Sequence, residues 1–356
     1  MYYVDNAALE KPKQEVIEYV NDIINNNWYN PNSVYQGGLD SKNIINTTRE
    51  IISERINCEP DELIFCSCGS EANTLATCGY LRKHKQDFFV TSVIEHASIM
   101  ENPYGLKTIS VDQYGFFNMD DISNTRNCLV SLQMANSEIG TIQDIKAIVS
   151  ILHKNNCVVH TDAVACFGKI KIDVKDLDVD MLTATGQKIG GLLGCAFLYK
   201  KKDIELEPLI FGHNTLRGGT PNTLAIGALG KATEILTSST SVNRDYVMNY
   251  LKENIQDCYL IGSKVKRLPH NLNVCIQGVT GESIMTLLDN YNIQVSTGSA
   301  CNSGSPEPSA VLKAIGLEEP DIYSCVRLTF NGEETKEDLD YICTKIKQSV
   351  EMLRSI

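Results

Sequence analysis

No stretch of this sequence approaches the ~20 consecutive apolar residues that a helix needs to cross a membrane, so no membrane-spanning segment is expected. Positive charge is scarce as well: 32 Lys and Arg stand against 44 Asp and Glu, a net charge of −12. That deficit argues against non-specific nucleic-acid binding, and no direct nucleic-acid partner is expected. The opening residues Met1-Tyr2-Tyr3-Val4-Asp5-Asn6 lack the basic stretch and apolar core of a signal peptide. The thirteen cysteines are odd in number and have no repeated spacing. They read as belonging to a reduced, cytoplasmic protein rather than to a disulfide framework. Cys66-Ser67-Cys68 is too close for zinc spacing and reads as two strand residues. No metal site, internal repeat or low-complexity segment is visible.

What is present is ordinary in bulk and specific in detail. With 356 residues the chain can bury a large core in two lobes. Strand-like and helix-like segments alternate from about residue 12 to 235, with Pro12 opening the first helix. Helical spacing marks Asp40 to Arg55, Glu71 to Arg82 and Asp144 to Asn155. Apolar runs at 62–66, 88–93, 128–132, 157–161, 181–184 and 195–199 read as strands. Such alternation predicts an α/β fold, a mostly parallel sheet covered on both faces by helices. Its ligand is expected beyond the carboxyl ends of the strands. Thr237-Ser238-Ser239-Thr240-Ser241 is a plausible boundary. The expected division is a large domain at 11–236 and a smaller α+β lobe made of 1–10 with 237–356.

Two residues at predicted strand ends carry the most information. A buried lysine such as Lys188 can form a Schiff base with an aldehyde cofactor. A carboxylate such as Asp162 can keep the pyridinium nitrogen of pyridoxal 5'-phosphate (PLP) protonated. Lys188 precedes the glycine-rich run Ile189 to Gly194, which permits tight backbone geometry. The turn Cys68-Gly69-Ser70-Glu71 leads a strand into a helix, where free N–H groups and the Ser70 hydroxyl can hold a phosphate; a plain helix cap by Ser70 is the competing reading. His96 and Asn136 each follow a strand. Their candidate roles are proton transfer over a cofactor ring and a hydrogen bond to it; a structural histidine and a turn residue are the bland alternatives. Cys301 lies in the small-residue run Val295 to Ser309, where thiol reactivity is the natural reading. Arg327, inside an apolar strand, suits bidentate binding of a carboxylate or a structural ion pair equally well.

Together these segments resemble the cysteine desulfurases of the NifS/IscS type, class V aminotransferase-like PLP enzymes of fold type I. The likeness runs from Tyr3-Val4-Asp5-Asn6-Ala7-Ala8 to about residue 345. The resemblance implies that Lys188 binds the cofactor covalently, that Asp162 holds its ring nitrogen and that His96 stacks on the ring. It places Gly69, Ser70, Thr185 and Gln187 near the phosphate and Asn136 near the ring hydroxyl and substrate. Arg217-Gly218-Gly219-Thr220 is similar to the family's R-S-G-T segment, whose threonine reaches the phosphate of a neighbouring subunit; a homodimer is therefore implied. Arg327 would clamp the carboxylate of L-cysteine, and Cys301 would take the sulfur as a persulfide for an acceptor, an iron–sulfur scaffold or a thiolation enzyme. Four positions depart from the family pattern. Ala165 stands where glutamine is usual, Gln187 replaces a histidine, Ala310 replaces another, and a Q-E pair is missing around His213 and Asn214. These departures leave open a related PLP-dependent cleavage of selenocysteine or cystine, or a non-catalytic sulfur relay on the same fold.

Overall fold

The computed structural model describes residues 1–85, 88–105, 107–212, 215–297 and 308–355. Cys301, His213 and Asn214 lie outside the described residues. Strand β1 spans Tyr2–Tyr3, and β2 (Leu63–Cys66), β3 (Phe88–Ser92), β4 (Lys107–Ile109), β5 (Cys128–Gln133), β6 (Val158–Asp162), β7 (Met181–Thr185) and β8 (Ala196–Lys200) build one sheet in the order β2-β8-β7-β6-β5-β3-β4. From β7 to β4 every pairing is parallel, and only β8 runs against its two neighbours. Both faces of the sheet are covered, so β5 and β7 are buried at every position. This is why their sequences read as runs rather than as alternation. The few polar residues inside pair with one another. His160 in β6 touches Ser131 Oγ at 2.8 Å and Thr183 Oγ1 at 2.9 Å, and burial pushes its proton affinity down to about 3.

Helices α1 (Gln14–Asn26) and α2 (Gln36–Ile56) pack with helix Thr223–Glu234 over one face. The approach is close: a Cβ at Gly230 would meet Thr48 Oγ1 at 2.4 Å. Helix α3 (Gly69–Lys83) covers the other face, where Leu75, Ala76 and Tyr80 join Phe89, Leu129 and Leu198 in one cluster. Three sequence expectations shift. Lys13, not Pro12, stands just before α1, which begins at Gln14. Helix α2 starts four residues before Asp40, through Gly37 and Gly38, which carry no apolar signal. Cys66 ends β2, but Cys68 is no strand residue; it caps α3.

The rest of the chain forms a second sheet system. Strands β9 (Cys258–Leu260), β10 (Asn271–Ile276) and β12 (Cys325–Thr329) are antiparallel in the order β12-β10-β9. Beside them β1 pairs in parallel with β11 (Ile293–Gln294). Val4, Val247, Leu272, Val326 and Ile342 share its core, so the first residues of the chain pack with the last third. Beyond β1, Thr329 N donates to Val4 O at 2.7 Å, and Arg327 Nη2 donates to Asp5 Oδ1 at 2.8 Å.

Candidate active site

The carboxyl ends of β5, β6 and β7 open into a cavity of about 320 Å³. Asp162 is the last residue of β6 and lies against this space. Its carboxylate is fixed from two sides: Asn73 Nδ2 donates to Oδ2 at 2.7 Å, and Val164 N donates to Oδ1 at 2.9 Å. Lys188 does not end a strand. Strand β7 stops at Thr185, and Lys188 closes the single 3₁₀ turn Gly186–Lys188 that follows. That turn carries the ammonium back over the cavity, where Nζ donates to Ala8 O at 2.6 Å and to Ala7 O. A lysine 26 positions after Asp162 thus shares its cavity because adjacent parallel strands end side by side.

The phosphate end takes its shape from α3. Cys68, rather than Ser70, is the cap, with Sγ accepting from Glu71 N at 3.4 Å. This leaves the Ser70 hydroxyl in the first turn, where unpaired N–H groups and the helix dipole favour an anion. A Cβ at Gly69 would meet Thr185 Cγ2 at 3.0 Å and Val164 Cγ2 at 3.3 Å, so the absence of a side chain there keeps the floor open. Glu71 Oε1 accepts from Arg217 Nε at 2.9 Å, and Oε2 accepts from Ser67 N at 2.7 Å. The Arg217 pairing and the Ser67 bonds overcome the upward pull of burial and hold the Glu71 carboxyl below the ordinary carboxylate range.

Of the residues singled out in the sequence, Lys188, Asp162, His96, Gly69, Ser70, Thr185, Gln187 and Arg327 line this one cavity, as does the substituted Ala165. His96 caps the helix Ala97–Met100, its Nδ1 receiving Ser98 N at 3.1 Å. Asn136 is not among the lining residues. Its Oδ1 accepts from Glu138 N and Ile139 N at 2.8 and 2.9 Å, and Nδ2 donates to Ile94 O at 3.2 Å. The side chain closes a buried turn, with one of the two Nδ2 hydrogens used in it. Thr220 also lies elsewhere, on a second cavity of about 490 Å³ with Arg217 and Gly219.

Sequence reading missed Asn73, Gln133, Lys169 and His270. Asn73 sits one turn inside α3 and reaches Asp162. Gln133 ends β5, and strand-end position was a signal that could have found it. Lys169 forms a buried ion pair with Glu10 on the cavity wall. Nine buried side-chain polar atoms among the described residues have no hydrogen-bond partner, and five belong to lining residues: Asn6, Asn73, Thr185, His270 and Arg327. Such atoms are rare because each is costly. Five of the nine thus belong to residues of this one wall.

Over residues 2–342 the chain matches the family Aminotransferase class-V. The chain belongs to this family. Cysteine desulfurase IscS of Methanosarcina thermophila is 35% identical over 99% of this chain and 93% of its own length. Cysteine desulfurase IscS 1 of Archaeoglobus fulgidus is 36% identical over 100% of this chain and 98% of its own. Among solved structures, a NifS-like protein superposes with a TM-score of 0.92 at 26% identity, covering 99% of both chains. SspA, solved in complex with cysteine, gives 0.85 at 28% identity over 94% of this chain and 100% of its own. The seven-stranded sheet is thus that of the fold type I class-V enzymes. No helix among the described residues is long and apolar enough to cross a membrane.

Proposed function

We propose that this class-V protein is a PLP-dependent cysteine desulfurase that converts L-cysteine to L-alanine and passes the sulfur through a Cys301 persulfide to an acceptor. The observation that carries the reading is the meeting of Lys188, Asp162 and the unpartnered Thr185 hydroxyl on one cavity wall. A primary amine, a fixed carboxylate and a phosphate cradle are the three groups PLP requires, so the residues present fit it. Lys188 would be its point of attachment, Asp162 its ring-nitrogen partner, and Gly69, Ser70, Thr185 and Gln187 would surround its phosphate. Once bound, PLP supplies an electron sink for charge developing at the substrate Cα.

The chain's own residues do the rest. Arg327 binds the carboxylate of the amino acid and fixes its orientation. The Lys188 amine would move the proton at Cα. His96 has Nδ1 occupied by Ser98, which leaves Nε2 to exchange the proton of the substrate thiol. The Cys301 thiolate attacks the substrate sulfur; an S–S bond forms, the Cβ–S bond breaks, and its electron pair stays with carbon, which takes up protons to become alanine. An iron–sulfur scaffold or a thiolation enzyme suits the acceptor role. Thr220 lines the second cavity rather than the one that holds Lys188, which supports the reading that it serves the phosphate of a second copy in a homodimer. The twelve described cysteines are all free thiols, which suits a reducing cytoplasm.

Borohydride reduction of the PLP-saturated protein followed by peptide mapping tests the reading. The label is expected on Lys188, and an unmodified Lys188 refutes the assignment. Cys301→Ala is expected to keep the bound-cofactor absorbance and to abolish persulfide formation.

A further inference from the structure

Strands β10 and β12 have two unlike faces. Leu272, Val274, Val326 and Leu328 fill the apolar core of the second sheet system. Asn271 pairs with Thr329 and Asn273 with Arg327 in register, and all four are buried. His270 stands at the entry to β10, with its carbonyl accepting from Phe330 N at 3.0 Å. The residue lines the cavity together with Arg327 and Lys188. It is 5% exposed, yet its Nδ1 has no hydrogen-bond partner. Arg327 is also 5% exposed; Nη2 is held by Asp5 and Nη1 reaches Ser137 O at 3.4 Å, while the buried Nε has no partner. The unmet Arg327 Nε–H calls for an acceptor that the protein does not itself provide, and so does His270 Nδ1 when it carries the ring proton.

We propose that His270 is a substrate-binding residue whose imidazole N–H, on Nδ1, hydrogen-bonds the carboxylate of the amino-acid substrate beside Arg327. The inference rests on the desulfurase reading above. Asp5 offsets part of the Arg327 charge, so this guanidinium attracts an anion less than an unpaired one, and a second donor makes up the difference. Burial first, then the positive charges of Lys169, Arg327, Arg244 and Arg267, keep the ring's proton affinity well below the ordinary histidine range. A neutral ring carries one N–H. It adds a directed donor without placing another cation beside those already there.

The test compares wild-type holoenzyme with His270→Leu and His270→Asn, measuring KM and kcat for L-cysteine and, by calorimetry, the Kd of L-alanine. Bound-cofactor absorbance reports folding and loading of each variant. His270→Leu is expected to keep that absorbance, to raise KM and the L-alanine Kd by about tenfold, and to lower kcat by less. His270→Asn, with an amide N–H near the position of Nδ1, is expected to recover most of the loss. Should His270→Leu not fold, His270→Phe keeps a ring without the N–H and is read in the same way. Values of KM and Kd within about twofold of wild type, or a loss confined to kcat, would overturn the proposal. A wild-type protein that formed no alanine from cysteine would instead sink the reaction assigned above, and the L-alanine calorimetry would still decide the role of His270.

Discussion

Glu95 sits one residue before His96 and is buried behind the cavity. Its Oε1 accepts from Ser92 Oγ and from Gln133 N at 3.0 Å, while Oε2 has no partner. Burial, with the negative charge of Asp162 adding to it, pushes this carboxyl up to about 8. The folded state therefore holds the proton more tightly than the unfolded chain does. The stability this confers is complete below the ordinary carboxyl range and fades as pH climbs towards about 8. Glu95→Gln keeps the shape and the acceptor but cannot ionise. Its unfolding free energy, measured by urea titration, is expected to gain on wild type between about pH 5 and about pH 8, by up to a few kcal/mol. Parallel pH profiles for the two proteins would show that Glu95 does not titrate in this way. Glu138, pushed up to about 7 mainly by burial, shares this character and accepts a hydrogen bond from Ser309 Oγ at 2.6 Å.

At the scale of elements, the junction of β2, α3 and β7 decides whether a phosphate fits. Gly69→Ala places a methyl group against Thr185 and Val164, and apo-protein titrated with PLP is expected to bind about tenfold more weakly. An unchanged affinity would locate the phosphate elsewhere. The same junction shows what could be read in advance. Strands β5 and β7 were legible to within a residue because burial on both faces leaves an apolar run bounded by turn residues. That Lys188 and Asp162 line one cavity was legible because ligand spaces open beyond the ends of such strands. Strand β10 was not: its buried Asn271 and Asn273 sit where periodicity expects apolar or solvated side chains. Their amides bond the carbonyls of Ser137 and Glu138, more than a hundred residues away. Asn136 could be read either way, since a buried turn and a ligand contact use the same amide. Lys169 and His270 carry no local signal, because each acquires its setting only from distant chain.

For the whole molecule, the position of Thr220 makes a sharp prediction. Lys188→Ala and Thr220→Ala proteins, each deficient alone, are expected to regain cofactor binding when unfolded and refolded together. A hybrid dimer has one site in which an intact Lys188 meets an intact Thr220 from the other copy. No recovery in the mixture would mean that Thr220 serves its own chain or none. Within one chain, residues 2–10 cross from the second sheet system to the cavity wall. Asp5 meets an arginine 322 positions later, Ala7 and Ala8 hold Lys188, and Glu10 meets Lys169. During synthesis this strap leaves the ribosome early and must wait for β11 and β12 to emerge, roughly fifteen seconds or more at ~5–20 residues per second. The large sheet can form in that interval, but the pocket cannot close. A nascent chain is thereby kept from engaging its cofactor in finished form until β12, more than three hundred residues after the strap, has emerged.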